Sequence, residues 1–200
     1  MHESNTDLAR AFPTALRKDA LRGLAVFPES PRRDGTFSVQ VAGEVVEIPN
    51  RIYHDPELIR MRTRLPWVWP NRLQKELGAC LLTRHASGFV REEHLKRIIC
   101  ANYVWIPPFV IQLVGEYVIE ILHAVQQNLT NLDKPIYMQF LKNNPQFFGR
   151  TEQRVISYWN CYYRDCKRSE YVGFRVLEFF KSLAEEARGL SRLEQRADVP

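Results

Sequence analysis

Residues 105–129 read WIPPFVIQLVGEYVIEILHAVQQNL, and no other stretch limits the fold of this chain as strongly. Pro107 and Pro108 suit the first turn of a helix, where a missing N–H is no loss, and no proline follows until Pro135. At about 100° per residue, Gln112, Glu116, Glu120, His123, Gln126 and Gln127 fall in one sector roughly 120° wide, interrupted by Ile119. The other face carries Val110, Leu113, Val114, Tyr117, Val118, Ile121, Leu122 and Val125. So broad an apolar arc needs partners on more than one side, and the pattern predicts one central helix over 107–129. A membrane span is rejected, because Glu116 and Glu120 lie near the middle and each would cost about 2.5–3.5 kcal/mol if charged at the bilayer centre.

The remaining segments predict further helices and one β element. Leu8, Phe12, Leu16, Leu21 and Leu24 mark an N-terminal amphipathic helix, broken at Pro13 and ended near Gly23, and Pro28 to Gly35 reads as a loop. Thr36 to Val41 and Glu44 to Ile48 alternate around Ala42-Gly43, which predicts a hairpin over 36–48 that must rest on helices. Asp55-Pro56-Glu57 opens a short helix, and the segment Leu65 to Pro70 is an extended strap carrying Trp67 and Trp69. Asn71 caps a helix to Arg84, His85 to Gly88 is a tight turn, and Phe89 to Ala101 is helical. Downstream, a short helix over 136–141, a loop over 143–150, a helix capped by Thr151 and a helix over 171–187 complete the pattern. By composition the chain divides into an N-terminal appendage (1–50), a helical core domain (51–188) and a flexible tail (189–200).

Ser87-Gly88-Phe89-Val90-Arg91-Glu92, opening a helix between one helix and a proline-led third, resembles an α-solenoid of the HEAT class over residues 73–129. That resemblance implies a scaffold binding partners through stacked helices rather than an enzyme. A plain bundle of helical hairpins gives much the same pattern. The fold class is therefore mainly α, a multi-helix bundle or short α-solenoid-like array around the central helix 107–129, with one N-terminal hairpin.

Chemistry is sparse in this sequence. Glu120-x-x-His123 has the spacing of di-iron bundle ligands, but such sites need a second pair and none occurs, so no metal and no cofactor are expected. The stripe Gln112, Glu116, Glu120, His123 and Gln127 reads instead as a face turned to solvent or a partner. His85, Arg91 and His94 lie near one turn without a nucleophile motif, and no phosphate loop or hydrolase elbow occurs, so no catalytic residue is assigned. Cys80, Cys100, Cys161 and Cys166 have no CxxC spacing and read as reduced core thiols.

The formal net charge of +5 permits acidic or nucleic-acid partners without requiring either. Within the basic stretch 51–97, Arg60, Arg62, Arg64, Arg72, Arg84 and Arg91 with Trp67 and Trp69 form a candidate nucleic-acid or partner surface. The N-terminus lacks a cationic start followed by an apolar run, so a cytoplasmic protein is expected. The leading expectation is a non-enzymatic protein that binds another protein through a helical surface, as a scaffold, adaptor or inhibitor. The alternative is nucleic-acid binding through 51–97, and the third is a metal- or acid–base-dependent enzyme.

Overall fold

The computed structural model describes residues 5–27, 32–65, 67 and 71–197, and the side chains within those spans except at 5, 6, 25 and 191–197. Among the described residues the chain is mainly helical with one two-stranded antiparallel sheet, and residues 1–101 and 102–200 form two compact units. The boundary expected at residue 50 falls inside the second strand of the first unit. No helix among the described residues is long and apolar enough to cross a membrane.

In the first unit, α1 (Asn5–Leu8) and α2 (Arg17–Gly23) are separated at Phe12-Pro13, where proline stops the helix, and short 3-10 turns flank the break. Gly23 lets α2 approach α4 (Arg72–Leu82) closely, since a Cβ there would come within 2.7 Å of the Gln74 carbonyl oxygen. The hairpin joins β1 (Arg32–Val41) to β2 (Glu44–Tyr53) through Ala42 and Gly43, both at positive φ, as a two-residue turn requires. Val39, Val41, Val46 and Ile48 are buried on one face, while Ser38, Gln40, Val45 and Glu47 are exposed on the other.

The strands extend beyond the expected 36–48. The far end of β2 is held by the turn after α4: Ile52 N–H donates to the Arg84 carbonyl, and Ala86 N–H donates to the Ile52 carbonyl, each at 2.8 Å. That clamp fixes residues 49–53, and residues 32–34 pair with them instead of forming a loop. The helices α3 (Pro56–Thr63) and α4 start at the expected caps, with Asp55 accepting from Glu57 N–H and Asn71 from Gln74 N–H, both at 2.9 Å. The next helix, α5 (Gly88–Ile98), packs on α4.

The expected central helix is two helices. In the second unit, α6 (Pro107–Val114) stops at Gly115, and α7 (Ile119–Asn128) starts after an extended Val118. Glycine is a poor helix former, and here it admits a neighbour: a Cβ on Gly115 would meet Arg154 Cβ and Cδ at 3.2 Å and Thr151 Cγ2 at 3.6 Å. Every residue of α6 is buried, and α6 packs against α7, α8 (Lys134–Asn143), α9 (Pro145–Tyr162) and α10 (Val172–Ala197). The wide apolar arc is thus the sum of two short helices with different buried faces.

Two other expectations shift. Pro145 takes the first turn of α9, so residues 145–150 are helical rather than a loop, and Thr151 is buried mid-helix with its hydroxyl donating to the Phe147 carbonyl. Helix α10 runs through Ala197, past Gly189, where a tail is expected.

Candidate functional site

Of the arginines in the candidate surface within 51–97, Arg84 and Arg91 are buried. Arg84 is 1% exposed, with its guanidinium donating to the carbonyls of Pro49 (3.2 Å) and Asn50 (2.5 Å). Arg91 is equally buried and donates to the carbonyls of His85 (2.9 Å) and Ala86 (2.7 Å). Both arginines hold the turn that clamps β2, so their charge is not presented outward. Arg62 donates to the Val26 carbonyl at 3.0 Å, Arg60 pairs with Glu57 at 3.1 Å, and Arg72 pairs with Glu76 at 2.8 Å. Arg64 is exposed and Trp67 is 73% exposed, whereas Trp69 lies outside the described residues.

The imidazoles expected at helix ends are buried. His85 Nδ1 accepts the Ser87 N–H at 3.0 Å, and burial lowers its pKa to about 4, with His54 and Arg91 acting in the same direction and the His54 backbone opposing. Burial lowers His94 to about 3, with smaller contributions from Arg97 and His85. At 1% exposure neither ring offers a surface to a substrate. Among the described residues there is no group of three or more His, Cys, Asp or Glu suited to a metal ion. Of the four cysteines only Cys80 is a core thiol, and burial raises its pKa well above the ordinary value.

The polar stripe expected along 107–129 is divided by the break. Gln112 and Glu116 are buried, while Glu120, His123 and Gln127 are exposed on α7. These residues therefore do not share one helix face.

The second unit instead exposes a different surface. Tyr117, Tyr158 and Tyr162 form a triangle with ring centroids 5.8, 5.8 and 6.1 Å apart, and Tyr162 is 65% exposed. The Tyr163 hydroxyl donates to the Tyr117 carbonyl at 2.7 Å, and burial, then Glu120, raises the Tyr163 pKa. The segment after α9 is fixed by Trp159 Nε1 donating to the Cys166 carbonyl at 2.9 Å and by Arg168 over the Trp159 ring at 4.8 Å. Arg150, Arg154, Tyr158 and Tyr162 recur every fourth residue on α9, none of them buried. The sequence signal was that spacing of four; placing a helix start at Thr151 separates Arg150 from it.

Two clefts are weaker candidates. One of about 330 Å³ lies between the N-terminal segment and the hairpin, and its charges pair across it, Arg10 with Glu47 at 3.3 Å and Arg33 with Asp7 at 3.4 Å. Another of about 430 Å³, lined by α8, α9 and α10, has Lys181 held by Glu152 at 2.5 Å. Comparison with protein-family models, curated proteins and solved structures returns no match to this chain.

Proposed function

We propose that this chain is a non-enzymatic protein-binding module whose contact surface is the exposed face of α9 together with Tyr117. The observation that carries this reading is the tyrosine triangle, with Tyr117 and Tyr162 exposed, Tyr158 half-buried, and the Tyr117 backbone tied to Tyr163. Tyrosine and arginine are enriched where proteins bind proteins, because they supply large contact area with polar edges. Rings already in mutual contact also lose little side-chain freedom on binding. Burial of Arg84 and Arg91 removes two cations from the nucleic-acid alternative, and ion pairs neutralise Arg60 and Arg72. A cytoplasmic setting belongs to the same proposal, since Cys161 and Cys166 stand as thiols outside the core, as a reducing compartment allows.

Affinity capture from nuclease-treated extract of the native source, run with wild type and with Tyr158→Ser/Tyr162→Ser, tests the proposal. The expected result is a discrete protein partner retained by wild type and lost by the variant, with unchanged circular dichroism. Capture that depends on nucleic acid, or that ignores the tyrosines, contradicts it.

A further inference from the structure

Helix α9 carries more than the tyrosines. Its stripe Arg150, Arg154, Tyr158, Tyr162 spans twelve residues, about 18 Å at 1.5 Å per residue. A fully extended chain covers that length with about five residues. The stripe is basic at one end and aromatic at the other.

The basic end lacks compensation. Neither Arg150 nor Arg154 has a carboxylate partner among the described residues. The carboxylate between them in sequence, Glu152, is engaged by Lys181 of α10 at 2.5 Å. The stem of Arg154 lies against Gly115, and the residue as a whole is half-buried. A ligand is therefore oriented, with its anionic part over Arg150 and Arg154 and its apolar part over the rings.

The spacing of the rings selects among anionic ligands. Centroid separations of 5.8–6.1 Å are contact distances for aromatic pairs, so no flat ring of a ligand inserts between two of these tyrosines, and a nucleobase meets only an outer ring face. What the triangle presents is an apolar surface edged with hydroxyls, suited to a bulky side chain flanked by peptide groups.

We infer that the occupant is an extended acidic peptide segment of a partner protein, with carboxylates on Arg150 and Arg154 and a bulky apolar side chain on Tyr117, Tyr158 and Tyr162. The inference rests on the reading of α9 as the binding face and adds the chemistry of what it binds.

Fluorescence anisotropy with a labelled octapeptide, Glu-Asp-Glu-Ser-Gly-Trp-Leu-Gly, tests this on the full chain. Binding is expected to weaken with added salt and by at least about tenfold, or 1.4 kcal/mol, in Arg150→Glu/Arg154→Glu. The milder Arg150→Gln/Arg154→Gln pair shifts in the same direction if the reversal disturbs folding. A peptide with Trp and Leu replaced by Ser loses a similar factor, whereas Lys142→Glu, a cation on α8, leaves affinity unchanged. No binding at millimolar peptide, indifference to charge reversal, or tighter binding of an oligouridylate of equal length each overturns the proposal. If the tyrosine-dependent partner is still captured while the octapeptide fails to bind, the acidic-peptide chemistry falls and the α9 face stands. Loss of both removes the face as well.

Discussion

Arg84 and Arg91 show how little a count of basic residues says about a surface. Both lie in the basic stretch 51–97, yet both guanidiniums close the turn that clamps β2 by donating to backbone carbonyls. The sequence lists their charge but not the carbonyls, which come from residues up to 35 positions away. Replacing Arg84 with Met keeps the stem but removes the guanidinium donor from the buried Pro49 carbonyl, at about 1–3 kcal/mol for such a group, while the Asn50 carbonyl keeps the Arg51 guanidinium at 3.2 Å. A denaturant melt of Arg84→Met is expected to lose at least about 2 kcal/mol, while exposed Arg60→Ala stays within about 0.5 kcal/mol. His85 and His94 give a second prediction at this scale. Their folded pKa values, about 4 and about 3, lie below the unfolded value, so the unfolded state binds more protons in acid. Stability is full above about pH 6.5 and falls as pH drops toward 4 and 3, by up to about 1.4 kcal/mol per pH unit for each histidine. Denaturation midpoints measured between neutral pH and pH 5 isolate this slope from the carboxylates, and His94→Leu should remove one histidine's share. A midpoint flat across that window contradicts their burial.

At the level of elements, caps and turns were legible because their signals are local. Asp55-Pro56, Asn71 and Ala42-Gly43 each act within a few residues, and each appears where the sequence places it. The central helix was misread because periodicity cannot tell one helix from two whose buried faces differ. The deciding contact is Gly115 against Arg154 and Thr151, nearly forty positions away. This sets the sign of a prediction. In a continuous helix Gly115→Ala would stabilise by about 1 kcal/mol. With α9 against the break, the added Cβ meets the Arg154 stem at 3.2 Å, and the variant is expected to lose about 1 kcal/mol or more. A raised melting temperature would contradict the break at 115–118. The same contact holds α9 in place, and with it the side chains of the proposed site.

Over the whole molecule, the mainly helical class and the single hairpin were written in hydrophobic spacing, whereas the division after Ala101 was not. Composition changes near residue 50, but cohesion follows packing, and the backbone bonds from Ile52 to Arg84 and Ala86 join the hairpin to the first unit's helices. The candidate surface was half legible. Tyr117 reads as part of the apolar arc of 107–129, and only α9 starting at Pro145 brings Arg150 and Arg154 into line with Tyr158 and Tyr162. The central claim is that this face of α9 meets another protein. A photoreactive phenylalanine analogue placed at Tyr162, irradiated in the native source and followed by nuclease digestion, addresses it directly. The account predicts a discrete protein adduct that survives nuclease and is absent when the analogue is placed at Lys142 on α8. No adduct at 162, or one destroyed by nuclease, would contradict it.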